Sequence, residues 1–440
     1  MELSFYQYLS ALRGTYTKLA RLEFLNPGGG VAFALDNNER NSRNGAFIQN
    51  GQLSVNLQNG QRRTASITLA NLNGEYDYKI GKLWFGQQVR LLEGISTDNG
   101  EIYFPQGVFY IKDPEEALLP GQKAVTLNLE DKWSYLNGTL FGKLDGTYEI
   151  TAGTNIFTAI NSILQIDRGN GFPIDSEVPL FTNFYNDRTT PMPDGTEISD
   201  LLLPYTYRLD GDNGTYADII LEMANILAAW VGYDANGRLR IDPSERDIDY
   251  ATKAVQWEFG PEQVQFLGAN YVTKNSSVYN DIIVVGGSID EYGYTSARAE
   301  NTELGSNTNI GIIGRKTLKE THSELYNDRL CKNLANFILK QQTILNKSAT
   351  ISCGQMFHLH ENQLVTVRNP GNENARPERY LVNGFTRPIA QTGAMKISAT
   401  SVSSIPGESA IYNGVTARTA KLLIGAVRTG ESLFQQARAV

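Results

Sequence analysis

The sequence predicts an α+β fold, mainly antiparallel β, in which two similar β-barrel domains are separated by an α/β segment and followed by a C-terminal helical tail. Three observations predict it. Short runs of apolar–polar alternation, punctuated by Gly, Asn and Asp, fill the first and last thirds. The middle switches to helical spacing. Four strand-like elements of the first third recur in order in the last third.

In the first third the alternating runs lie at 52–57, 65–69, 87–92, 107–112 and 124–129. In the last of these Val125, Leu127 and Leu129 share one face, and Ala124, Thr126 and Asn128 share the other. That pattern signals a sheet with one wet face, and the turn residues between runs fit an antiparallel barrel or sandwich. At 155–166, Ile156, Phe157, Ile160, Ile163 and Leu164 stand at helical spacing, and a long polar loop follows over 168–200. Thr215 and Asp218 read as a capping box opening a helix that carries Ile219, Ile220, Met223, Ile226, Leu227 and Trp230, with Gly232 as its C-terminal cap. A hairpin turning on Asn236-Gly237 comes next.

The last third opens with a strand at 279–285, ended by Gly286-Gly287, and a polar loop to about 309. Thr321-His322-Ser323-Glu324 reads as a second capping box, for a helix with Leu330, Leu334, Phe337, Ile338 and Leu345 on its stripe. Strands resume at Ser348. The expected domains are 1–132 and 259–405, two β-barrels of which the second holds a long loop and an inserted helix. An α/β domain at 133–258 lies between them, and a C-terminal arm fills 406–440.

The recurrence aligns 65–70 with 348–353, 86–91 with 362–367, 107–111 with 379–383 and 121–129 with 393–401. Two copies of one domain per chain have a symmetry consequence: three chains in a ring present six similar units and can dock on a hexamer. The segments 64–79 (TASITLANLNGEYDYK), 86–94 (GQQVRLLEG), 215–243 (TYADIILEMANILAAWVGYDANGRLRIDP), 279–288 (YNDIIVVGGS) and 358–371 (HLHENQLVTVRNPG) carry a family likeness. Together they resemble the baseplate hub (tail hub) proteins of phage tails and related contractile injection systems. The resemblance implies tube-type barrels, a homotrimer, and a place in the virion's tail baseplate, assembled in the host cytoplasm. It implies a hub joining a hexameric tail tube protein to a central spike protein, beside other baseplate or tail-tip proteins, with DNA or cargo passing through its lumen without tight binding. The long loops at 168–200 and 288–309 and the C-terminal tail depart from the family pattern.

Composition narrows the function further. The 440 residues carry 39 Lys+Arg against 47 Asp+Glu, a formal charge of −8, which argues against a tight grip on nucleic acid. A hydrophobic share of 41% excludes a wholly disordered chain. No apolar run approaches the roughly 18 residues that span a bilayer, so no stable membrane insertion is expected. The N-terminus lacks the pattern of a standard export signal. Cys331 and Cys353 read as small core hydrophobes suited to a reducing cytoplasm.

No enzyme is expected. There is no G-x-S-x-G elbow, Walker A loop or H-E-x-x-H, and neither cysteine has an activating motif. His358 and His360, two apart on a strand, could share a face and hold zinc, but no partner cysteines stand nearby, and the structural reading is preferred. His322 reads as incidental. Counting from Asp210, a calcium loop would need Gly and Glu where Thr215 and Leu221 stand, so 210–214 reads as a turn. Neither cofactor nor metal is expected. The C-terminal arm is locally basic, and Arg418, Lys421, Leu422, Leu423, Arg428 and Phe434 are its candidate partner-binding residues. The alternative reading is a receptor- or glycan-binding tail-tip protein using Phe181, Phe184, Tyr185, Tyr205 and Tyr207.

Overall fold

The computed structural model describes residues 3–402 except 40–44, 78–82, 84–85, 120–121, 182–188, 192–196, 200, 204–205, 212–213, 228, 243–253, 262–264, 273–277, 289–293, 305, 307, 324, 326, 345–347 and 369–376. Its architecture is mostly antiparallel β-sheet with few helices. A short helix α1 (Phe5–Ala11) precedes seven strands: β1 (Thr17–Leu25), β2 (Val31–Asp36), β3 (Ala46–Asn56), β4 (Arg63–Asn71), β5 (Gln88–Thr97), β6 (Gly100–Leu119) and β7 (Gln122–Asp131). Each expected alternating run falls in one of them to within a residue at its ends. In β4, Ala65, Ile67 and Leu69 are buried and Ser66 and Thr68 half-buried, as period-2 geometry dictates.

The middle holds β8 (Tyr148–Ile150), α2 (Ile156–Leu164), β9 (Leu180–Phe181), β10 (Thr189–Pro191), β11 (Glu197–Ser199), β12 (Tyr207–Leu209), α3 (Tyr216–Leu227), β13 (Trp230–Tyr233) and β14 (Leu239–Asp242). The polar stretch after α2 is therefore interrupted by three short strands. Asn155 caps α2 by accepting from the N–H groups of Phe157 and Thr158. The capping box of α3 forms as expected: Thr215 N–H donates to Asp218 Oδ2 at 2.9 Å, and Asp218 N–H to Thr215 Oγ1 at 3.2 Å. The helix stops at Leu227, however, and Trp230 and Gly232 belong to β13. Gly232 is needed there because a Cβ would meet the Arg62 side chain at 2.3 Å. The expected hairpin joins β13 to β14, with Gly237 at φ 76°.

The last third comprises β15 (Val255–Phe259), β16 (Phe266–Val272), β17 (Asp281–Ser288), β18 (Tyr294–Glu300), α4 (Ile310–Ile313), β19 (Thr317–Thr321), α5 (Asp328–Ile344), β20 (Ser348–Cys353), β21 (Leu364–Val367), β22 (Glu378–Ile389) and β23 (Met395–Ser401). Two expectations change. Gly286-Gly287 does not end β17 but lies within it, against the backbone of Ser323 and Leu325. The polar stretch that follows supplies β18, paired antiparallel with β17. The second capping box also moves. Helix α5 starts later, capped by Asn327, whose Oδ1 accepts from Leu330 N–H at 2.9 Å, while His322 instead approaches Glu320 at 3.2 Å.

The strands pair as two quartets in the same order. One runs β3-β4-β7-β6 and the other β16-β20-β23-β22, and β22 then pairs with β3 to join them into one sheet. Bulges sit at matching places. The β3–β4 ladder shifts after Ile48–Leu69 and the β16–β20 ladder after Phe266–Cys353. The β6–β7 ladder shifts after Ile111–Leu129 and the β22–β23 ladder after Val382–Ala399. Ile67 therefore corresponds to Ile351, Ile111 to Val382 and Leu129 to Ala399. The recurrence keeps its order, but the sequence alignment is one residue out in two strands and two out in a third. A one-residue slip would match buried Ile67 with Thr350, on the opposite face.

Two cores result. Leu22, Ile67, Val89 and Leu127 pack in one cluster with Trp257, Ile351, Val365 and Ile397, so both strand sets share it. A second cluster joins Ile160, Ile220, Met223 and Val231 to Ile282, Val284, Leu330 and Cys331. Full burial of each such large side chain contributes about 1.5–3 kcal/mol. Both cysteines are buried and unbridged.

Candidate functional site

Where the two strand sets meet, apolar packing gives way to a buried polar seam. The β22–β3 ladder runs from Gly384–Asn56 to Ile389–Gly51 and places Arg387 opposite Leu53. Arg387 is fully buried. Its Nη2 lies 2.6 Å from Glu93 Oε2 on β5 and 2.7 Å from Gln106 Oε1 on β6, and its Nη1 donates to Met356 O at 2.7 Å. Arg63 on β4 makes the reciprocal connection. It pairs with Glu361, before β21, and donates to Gln106 O at 2.9 Å. The Gln106 amide completes the bridge by donating to Phe357 O at 2.9 Å. Helix α1 places Tyr8 in the same seam, where Phe357 N–H donates to its hydroxyl at 2.9 Å.

The electrostatics follow from burial. It pushes the Glu93 carboxyl up, and Arg387 offsets only part of that rise. For Glu361, burial also pushes upward, but Arg63 and Arg62 prevail and the net shift is downward. Asp131, at the end of β7, is pushed up to about 6 by burial, although its carboxylate accepts from the N–H groups of Arg62 and Arg63 at 2.8 Å and of Trp133 at 3.1 Å. A cavity of about 260 Å³ opens beside the seam. It is lined by Arg62, Arg63 and Arg240 and by Asp234, Asp242 and Glu361, charges that balance and so favour no anion.

His358 and His360 lie in the irregular segment between β20 and β21, not on a strand. His358 Nδ1 is 3.0 Å from the Tyr8 hydroxyl, and its ring packs against Phe5, Phe104 and Trp257. Burial, and secondarily Arg387, depresses its pKa to about 4; burial and Arg63 depress that of His360 to about 3. Among the described residues no cluster of three His, Cys, Asp or Glu side chains could hold a metal.

Arg418, Lys421, Leu422, Leu423, Arg428 and Phe434 lie outside the described residues. So do Phe184, Tyr185 and Tyr205. Tyr207 is buried in the second core, where it is not available to a sugar. Sequence reasoning missed the seam. Its one local signal was an arginine in each of two strands, Arg63 and Arg387, beside alternating apolar residues.

On four strands of the joined sheet the wet face carries one acid and one base among hydroxyl and amide side chains. On β4 and β7 it presents Thr64, Ser66, Thr68, Thr126, Asn128 and Glu130, and on β20 and β23 Ser348, Thr350, Ser352, Lys396 and Ser398.

This is the fold of phage tail proteins. The chain is similar to a tail protein of Neisseria meningitidis, with a TM-score of 0.57 and 8% identity over 90% of this chain and 99% of that one. It is also similar to the 43 kDa tail protein of prophage MuSo2 from Shewanella oneidensis, with a TM-score of 0.54 and 12% identity over 87% and 98% of the two chains. No protein-family model and no curated protein matches the sequence.

Proposed function

We propose that this chain is a structural component of a phage or phage-like tail, a homotrimeric baseplate hub that joins a hexameric tail tube to a central spike. The observation that carries the reading is the paired quartet topology. Two similar β units per chain, fused through β22 and β3, let three chains present six units to a six-fold partner. In this reading residues 1–132 and 259–405 contain the two tube-type units, 133–258 forms the intervening α/β body, against which β17 and α5 also pack, and 406–440 is an arm that contacts other tail proteins. The likeness to two tail proteins over nearly their whole lengths supports it.

The wet face of the sheet is the proposed channel wall for DNA or cargo. Hydroxyl and amide side chains there offer few cations, so passing phosphates displace few counterions and are not held. Lys and Arg then belong at contacts with neighbouring proteins. Electron microscopy of assembled particles tests the reading. Three copies presenting six units in the ring are expected; six copies, each giving one unit, would overturn it. Tight, salt-sensitive DNA binding by the isolated protein would overturn the channel assignment.

A further inference from the structure

We propose that β6 of one subunit pairs antiparallel with β16 of the next, in the register Glu115–Val272, Glu116–Tyr271, Ala117–Asn270 and Leu118–Ala269. The joined sheet then continues from copy to copy. This inference rests on the homotrimeric reading and specifies the surface through which the copies meet.

The internal joint supplies the template. In β22 the first half pairs with β21 and the second half, from Gly384 to Ile389, with β3. Strand β6 is divided likewise. Its first half, to Tyr110, pairs with β5, while β7 lines one side of the second half. Among the described residues no strand takes the other side of that second half, the position that β3 occupies on β22. Strand β16 corresponds to β3, bulge included, and among the described residues it pairs along one edge only, with β20. The two edges stand at opposite ends of the run β16-β20-β23-β22-β3-β4-β7-β6. Contact between them is therefore head to tail, which closes into a ring when the rotation per copy allows.

The matching bulges fix the register. Ile111 corresponds to Val382, so Glu116 takes the place of Arg387 and Leu118 that of Ile389. Ile48 corresponds to Phe266, so Tyr271 takes the place of Leu53 and Ala269 that of Gly51. Applying the pairs Arg387–Leu53 and Ile389–Gly51 to these positions gives Glu116–Tyr271 and Leu118–Ala269.

Burial marks the difference between the two joints. Arg387, Ile389 and Leu53 are all fully buried, whereas their counterparts Leu118 and Tyr271 are 80% and 37% exposed and Glu116 is exposed. Val272, beside them, is 48% exposed. An exposed edge bearing Leu, Tyr and Val is a template for strand addition. A second copy of this chain supplies an edge whose bulge matches that of β3.

Full-length protein carrying Ala117→Cys and Asn270→Cys tests the register, because directly opposed residues lie within disulfide reach. Mild oxidation at high protein concentration should link the copies into a reducible trimer. Ala117→Cys with Tyr271→Cys, one residue out of register and on opposite faces, should link about tenfold less. Leu118→Lys, at a position exposed in the single chain, should abolish the trimer while leaving the thermal unfolding of the monomer unchanged. A trimer by light scattering with no disulfide between positions 117 and 270 of the double variant, or one that survives Leu118→Lys, would overturn the edge pairing and leave the hub reading standing. Efficient linking into open chains of varying length would support the edge pairing and remove the trimeric hub instead. Absence of both link and trimer under these conditions would overturn both.

Discussion

Arg387→Met removes a fully buried cation of similar shape from the seam between the two strand sets. Three contacts disappear: the ion pair to Glu93 at 2.6 Å and the bonds to Gln106 Oε1 and Met356 O, both at 2.7 Å. Glu93 remains buried without its cation, and breaking a buried pair from one side costs about 3–5 kcal/mol. Protonation of Glu93 limits the loss. Its pKa is already raised, and removal of Arg387 raises it further. The sign of the pH dependence follows: the folded variant holds the Glu93 proton more tightly than the unfolded chain, so the Glu93 contribution to stability is greatest at low pH and declines as the pH rises above about 4.5. Adding Glu93→Gln removes the orphaned charge and should restore about 1–3 kcal/mol. Urea unfolding of the single and double variants, followed by tryptophan fluorescence at several pH values, measures each quantity. A loss below about 1 kcal/mol for Arg387→Met, or a double variant no more stable than the single, would refute the seam as a coupled unit.

Three further outcomes are expected. His358 binds its proton more weakly when folded, so its contribution of about 3 kcal/mol is complete above about pH 6.5 and is lost as the pH falls toward 4; His358→Phe should reduce the slope of the stability profile there by about half, the rest belonging to His360. Asn327→Ala removes the cap of α5 and should cost about 1 kcal/mol in thermal or chemical unfolding, whereas Ser323→Ala should be neutral. Deleting 406–440 should leave circular dichroism and unfolding of the remaining chain unchanged while weakening capture of purified tail proteins; unchanged capture would remove the arm as a partner site.

Element type was legible because alternation and helical spacing are local. The run ending in Leu129, the helix after Thr215 and the turn at Gly237 all follow from residues within a few positions of one another. Register was not, since the same alternating pattern fits at either parity until a bulge is located, and bulges at Gln49 and Leu267 leave no composition signal. The false cap at Thr321 shows a related limit: Thr-His-Ser-Glu satisfies the pattern, but Thr321 is already committed to pairing with Val285 in the β17–β19 sheet. The seam was least legible. Arg63 and Glu361 are 298 residues apart, and Arg387 and Glu93 are 294 apart, so only the fold brings them together.

The junction of β22 with β3 also has a mechanical consequence. Six residue pairs span it, from Gly384–Asn56 to Ile389–Gly51, with side-chain clamps from Arg63 and Arg387 reaching across the same seam. A pull along the strands strains all of its backbone bonds together, whereas a pull at one end would peel them one by one, and the clamps oppose peeling. The two halves of the chain are thus stiffened against sliding and against opening like a hinge. A force applied to one half of the chain would therefore be transmitted to the other as displacement of one rigid body rather than absorbed at the junction.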